Sequence, residues 1–201
     1  MKYRSILLFG APGAGKGTQG RILGAIPHFF HCACGDVFRS LSADSQIGRT
    51  FLEYSHRGEL LPDDLTVELW RQQIGHAVRS GRFCPKTDSL VLDGIPRCIH
   101  QAAMLRDTLA IHCIFHLHCP NPKKLVQRIQ QRALRENRLD DAKLEVIEAR
   151  LKTYERDTVP LLNFYGKDRI HLIDATQAPH EVLRDILQCL HTANKCCVLG
   201  L

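Results

Sequence analysis

Ile6-Leu7-Leu8-Phe9-Gly10-Ala11-Pro12-Gly13-Ala14-Gly15-Lys16-Gly17-Thr18 is the stretch whose reading decides the fold. Four apolar residues in a row suit a strand covered on both faces. The glycines that follow let the backbone curl so that successive N–H groups point inward at an anion. A helix beginning near Lys16 adds the partial positive charge of its N-terminus, and Lys16 adds a full one. Strand, glycine loop and helix in that order are the setting a phosphate-cradling loop requires, which speaks against a glycine-rich turn with an incidental lysine. The residue after Lys16 is Gly17, so the hydroxyl of the generic pattern comes one place later, at Thr18.

Beyond this stretch, short apolar runs alternate with helical patterns, which implies βαβ units and a parallel sheet. Further strands are expected at Ser89-Leu90-Val91-Leu92, at 111–117 and at 169–173. Helices are expected at 67–78, 99–109, 122–135, 143–156 and 179–191, the third opening on Pro122, whose missing N–H matters little in a first turn. Leu144, Ile147, Leu151 and Tyr154 stack on one face of the fourth. Residues 33–61 and 132–141 break the rhythm, being polar and without a strand signal. In a doubly wound sheet such inserts beyond strand ends carry lids and specificity elements. One domain is expected, its core formed by 1–32, 62–131 and 142–201.

Composition sets the outer limits. A chain of 201 residues, 44% hydrophobic and 24% charged, is globular and too short for two ordinary domains. No apolar run approaches the ~18–20 residues of a membrane span. Ile6 to Phe9 is shorter than the ~7–15-residue core of a secretory signal, so a cytosolic location is expected. The net charge of +6 permits an anionic partner, and 18 Arg against 9 Lys suits bidentate phosphate binding, although genomic base composition gives the same ratio. The nine cysteines are odd in number and contain no Cys-x-x-Cys, so reduced and mostly buried thiols are expected.

Acidic and basic groups recur in short boxes: Cys34-Gly35-Asp36-Val37-Phe38-Arg39, Gly58-Glu59-Leu60-Leu61-Pro62-Asp63, Leu92-Asp93-Gly94-Ile95-Pro96-Arg97 with Gln101, and Asn137-Arg138-Leu139-Asp140-Asp141. Asp93 ends the second predicted strand, close to the glycine loop, where a carboxylate can hold Mg²⁺ or its waters; it also fits as the cap of the following turn. Helix 122–135 carries Lys124, Arg128 and Arg132 four residues apart, with Arg135 on the same side. Like charges so spaced cost about 0.2–0.5 kcal/mol per pair, a repulsion that an anionic ligand relieves. Lys124 and Arg135 read instead as a solvated basic face. Period-two geometry puts His112, His116 and His118 on one strand face, but a metal needs a converging second element, so packed or edge-exposed side chains are expected.

The boxes, in this order and spacing along nearly the whole chain, resemble those of the adenylate kinases, the best known nucleoside monophosphate kinases. The resemblance implies an α/β fold, a P-loop doubly wound parallel sheet flanked by helices, with 33–61 as the NMP-binding insert and 132–141 as a short lid. It implies reversible, Mg²⁺-dependent phosphoryl transfer from ATP to AMP, yielding two ADP. ATP would be held by Gly13, Ala14, Gly15, Lys16, Gly17, Thr18, Arg128, Arg132 and Gln177. AMP would be held by Cys34, Arg39, Glu59, Leu60, Leu61, Gly94, Arg97, Gln101, Arg138 and Arg150, with Gln101 on the Watson–Crick edge of adenine. Lys16, Arg97, Arg132, Arg138 and Arg150 would carry the catalytic charge, and Asp93 would hold Mg²⁺ through water. No cysteine lies between 119 and 189, so the family's four-cysteine zinc lid is not expected and neither is structural zinc. The expected partners are ATP, AMP and ADP, with no nucleic acid or membrane, and a monomer is expected. Cys34 replaces the usual threonine, which is alanine in kinases preferring UMP and CMP; Asn137 replaces a common lid glycine and Ile95 an aromatic. A UMP- or CMP-preferring kinase, and a regulatory nucleotide-binding protein without turnover, stay open as alternatives, while Gln101 favours AMP.

Overall fold

β1, Tyr3–Phe9, runs through the middle of a five-stranded sheet in the computed structural model, which describes residues 2–136 and 143–198. The other strands are β2 (Phe29–Ala33), β3 (Ser89–Asp93), β4 (Leu109–His118) and β5 (Ile170–Asp174); the order is β2-β3-β1-β4-β5 and every pairing is parallel. In chain order the helices are α1 (Lys16–Leu23), α2 (Cys34–Arg39), α3 (Gln46–His56), α4 (Asp63–Arg79), α5 (Ile99–Leu105), α6 (Pro122–Glu136), α7 (Leu144–Thr153), α8 (Pro160–Tyr165) and α9 (Pro179–Val198).

Alternation along β1 explains its unbroken apolar run. Leu7 and Phe9 enter a core with Trp70, Phe83 and Leu92, while Ile6 and Leu8 enter a second core with Leu23, Phe115 and Ile186. Helices α2, α3, α4, α5 and α8 supply the first core, and α1, α6 and α9 the second, so both sheet faces are covered. No helix among the described residues is long and apolar enough to cross a membrane.

Several boundaries differ from expectation. β2 was not expected; its half-buried run Phe29-Phe30-His31-Cys32-Ala33 becomes a strand by pairing with β3 along the sheet edge. Leu109, expected at the end of a helix, opens β4, because α5 stops at Leu105 and a turn carries Thr108, whose carbonyl accepts the Tyr3 N–H at 2.8 Å. The fourth predicted helix passes at Tyr154 into a single π-helical turn, Tyr154–Thr158, which leads into α8. Residues 33–61 contain α2 and α3. Of the predicted lid, Arg132 to Glu136 continue α6, and residues 137–142 lie outside the described residues.

The three-histidine face is not formed. Ser5 pairs with Ile111 and Ile6 with Cys113, so His112 is skipped and the alternation reverses at that bulge. His112 meets Arg4, whose Nη2 lies 3.5 Å from its Nε2, whereas His116 sits 3.1 Å from the Tyr154 hydroxyl. Because Leu7 is 0% exposed between two strands, Leu7→Ala is expected to destabilise the protein by about 2–5 kcal/mol. Urea titration should show a lower midpoint at unchanged slope; a loss of less than about 1 kcal/mol would show that β1 is not the packed centre.

Candidate functional site

The loop after β1 is shaped by its glycines. Gly13 has φ +83°, and a Cβ there would stand 2.8 Å from the Leu125 carbonyl oxygen. Gly15, at φ +99°, turns the chain into α1 from the left-handed region. Lys16 then reaches back, donating from Nζ to the carbonyl oxygens of Gly10 at 2.6 Å and Ala11 at 3.1 Å. Burial pushes the Lys16 ammonium down to about pKa 8; Asp93 acts against this, while Arg97, Arg132 and Arg150 push the same way as burial. Register brings Asp93 to the loop: it pairs with Leu8 across the sheet, one residue short of the end of β1. Its Oδ2 lies 3.5 Å from where a Cβ on Gly17 would stand, so the carboxylate faces the first turn of α1.

Around this centre lies a cavity of about 590 Å³. Gly13 to Thr18, Arg39, Glu59, Leu60, Leu61, Asp93, Gly94, Arg97, Gln101, Arg128, Arg132, Arg150 and Gln177 all line it. Cys34 does not. It is 2% exposed inside the first core, where burial above all pushes its thiol up to about pKa 12, and the wall there is made by Ala33 and Gly35. The expected nucleoside contact of the Cys34 side chain is therefore corrected to a packing role. Arg138 lies outside the described residues.

Most of the wall side chains are anchored on the protein itself. Arg97 donates from Nε to the Gly94 carbonyl at 2.9 Å, and its own carbonyl accepts the Thr158 hydroxyl at 2.8 Å from the π turn. Arg39 pairs with Asp36 at 2.7 Å, and Arg128 donates to the Ala175 carbonyl at 2.7 Å. Gln177 donates to the Asp174 carbonyl at 3.1 Å and to Asp185 at 2.8 Å. Lys124 is not on a solvated face: its Nζ clamps the Thr176 carbonyl at 2.8 Å, after β5. Arg135 is exposed as expected, yet it also reaches the cavity rim.

An aromatic wall was missed by sequence reasoning. Phe38, Phe51 and Tyr54 line the cavity, with the first two rings stacked at 5.7 Å between centroids. Phe51 and Tyr54, three residues apart in a stretch read as polar, were the available signal. Strand order sets Arg128 and Gln177, by β4 and β5, apart from Arg39, Glu59 to Leu61 and Gln101, by β2 and β3; Lys16 lies after the middle strand with Asp93, Arg97, Arg132 and Arg150 bearing on it, and Asp36, Glu59 and Glu136 add further carboxylates to the wall. Two anionic ligands meeting head to head fit such a shape.

A glycine loop on the middle strand of a parallel sheet, with its lysine inside a cavity crowded by arginines, defines a P-loop nucleotide-binding protein. Residues 8–170 match the family described as Adenylate kinase. Over 189 residues the chain is 35% identical to the adenylate kinase of Cyanothece sp., covering 90% of this chain and 92% of that protein. It is 32% identical to that of Porphyromonas gingivalis over 185 residues (89% and 91%) and 32% identical to that of Thermobifida fusca over 192 residues (92% and 97%). The chain belongs to the adenylate kinase family.

The depressed Lys16 has a signed consequence. Between about pH 8 and 10.5 the unfolded chain carries a proton on Lys16 that the folded chain has released, so rising pH favours folding across that window. The difference in unfolding free energy between wild type and Lys16→Met should therefore rise from pH 8 to 10.5 in urea titrations. A difference that stays flat, or falls, contradicts the assignment.

Proposed function

We propose that this chain, a nucleoside monophosphate kinase, transfers the γ-phosphoryl group of ATP to AMP, reversibly, giving two ADP. One observation carries the reading: Lys16, Arg97, Arg132 and Arg150, from four separate segments, share one cavity with Asp93. Like charges gathered this way repel each other, and a polyanion relieves that repulsion; a protein that only held a nucleotide has no need of cations from so many segments.

In this reading ATP lies along Gly13 to Thr18 with its base toward Arg128 and Gln177, and Arg132 on its phosphates. AMP lies toward Arg39, Glu59 to Leu61, Gly94 and Gln101, its phosphate held by Arg39 and Arg97. Lys16 exchanges the Gly10 and Ala11 carbonyls for phosphate oxygens, which restores its full charge because an anion now faces it. Transfer leaves little covalent work to side chains, since charge spreads over the γ-phosphoryl oxygens and must be met by fixed donors. Lys16, Arg97, Arg132, Arg150 and, in the lid, Arg138 take that part. The acceptor phosphate meets ATP directly, so no phosphoenzyme forms.

The Asp93 carboxylate and the Thr18 hydroxyl are hard oxygen donors that line the same cavity, a set that suits Mg²⁺, which keeps several waters and completes its shell with substrate phosphates. When bound there, Mg²⁺ neutralises charge on the phosphate chain. Water must be excluded or it competes as acceptor. The insert 33–61, with Phe38, Phe51 and Tyr54, and the lid 132–141 are the segments proposed to close. A monomer and a cytosolic location belong to the same reading.

Gln101 lines the cavity and Cys34, the departure that kept UMP and CMP open, does not, which supports AMP as the acceptor. AMP is expected to have the higher kcat/KM in an ADP-formation assay, and a preference for CMP would overturn the choice of acceptor. Lys16→Met and Arg97→Ala are each expected to lower kcat/KM by at least ~10²-fold. Near-normal activity in either variant refutes the catalytic roles of these two cations.

A further inference from the structure

The Gln101 side chain is 0% exposed as a residue and its amide is held at both ends. Oε1 accepts the backbone N–H of Arg97 at 2.8 Å, and Nε2 donates to Asp63 Oδ1 at 2.8 Å. Both partners demand the same orientation. A backbone N–H can only donate. Asp63 also receives the Cys98 thiol at 3.3 Å on each oxygen, and His100 Nδ1 lies 3.0 Å from Oδ2. Burial works to raise this carboxyl, but the hydrogen bonds from His100, Gln101 and Cys98 outweigh it and hold Asp63 below the usual carboxylate range, hence ionised and an acceptor only. Turning the Gln101 amide over would set N–H against N–H and carbonyl against carboxylate, converting two hydrogen bonds into two repulsions.

The amide still has one hydrogen on Nε2 and one lone pair on Oε1 to offer, and Gln101 lines the cavity. A 6-aminopurine presents a donor at position 6 and an acceptor at N1; a 6-oxopurine presents the reverse. A glutamine free to turn over serves both edges, and one held in place serves only one. We propose that Asp63 is a specificity-determining positioning residue: by fixing the orientation of the Gln101 amide, it makes the acceptor site take a 6-aminopurine monophosphate and refuse a 6-oxopurine monophosphate. This rests on the assignment of Gln101 to the acceptor base.

The test compares kcat/KM for AMP and for inosine monophosphate in wild type, Asp63→Asn and Gln101→Ala. The ratio of two substrates on one preparation does not depend on the fraction that folds. Asparagine keeps the size of the side chain but offers N–H as well as oxygen, so it removes one of the two constraints on the Gln101 amide and leaves only the Arg97 N–H to hold its orientation. Asp63→Asn is expected to lower the AMP-to-IMP ratio at least about ten-fold, the effect of one hydrogen bond made or left unmade, and Gln101→Ala to lower it as well. If Gln101→Ala lowers the ratio and Asp63→Asn does not, the role of Asp63 is overturned while Gln101 keeps its place at the base. If Gln101→Ala leaves the ratio unchanged, the base assignment itself fails and the proposal with it.

Discussion

Crowding cations into a partly buried cavity is unfavourable, and the rest of the structure is arranged to tolerate it. Lys16 shows the strain most directly: buried, and facing Arg97, Arg132 and Arg150, it holds its proton far less firmly than a surface lysine. Two things make the arrangement possible. Asp93 supplies one compensating negative charge, and carbonyl oxygens of the loop accept the ammonium hydrogens. In the proposed reading a phosphate chain satisfies the same donors with full negative charge, and the repulsion built into the folded protein is relieved when nucleotides enter.

Holding those groups in position is a matter of tethers. Arg97 is fixed by the Gly94 carbonyl and, through its own carbonyl, by Thr158 in the π turn; Arg128 is fixed by Ala175, and Arg39 by Asp36. A guanidinium that already rests on a backbone carbonyl loses less rotamer freedom when a ligand arrives than one that sweeps through solvent. The same economy holds beside Arg97, where Gln101 joins the Arg97 backbone to Asp63 and thus to the start of α4. In the proposed reading, phosphate and base recognition share one hydrogen-bonded network.

What could be read ahead of the structure followed local regularity. β1 was legible because both of its faces are covered, leaving no polar residue from Ile6 to Phe9. β2 was not, because an edge strand is covered less completely, and its histidine broke the apolar run. His112 misled for another reason: a bulge shifts every later residue to the other face, and nothing in the composition of 109–118 marks it. Cys34 stood beside true cavity residues in sequence, but being next in the chain does not decide which side chain turns inward. Lys124 looked like part of a charged stripe, yet its partner is a carbonyl more than fifty residues away, at Thr176.

By itself the sequence determined the alternation of buried strands and helices, the glycine loop with its lysine, and the types of charged group that had to serve a phosphate ligand. Those are local properties, set by periodicity, by which residues tolerate positive φ, and by side-chain charge. Only the tertiary structure decided that Arg97, Arg132 and Arg150 bear on one lysine, and that Asp63 grips Gln101. Each of these is a contact between segments far apart in the chain. Strand register and helix packing set such distances, and no short stretch of residues carries that information.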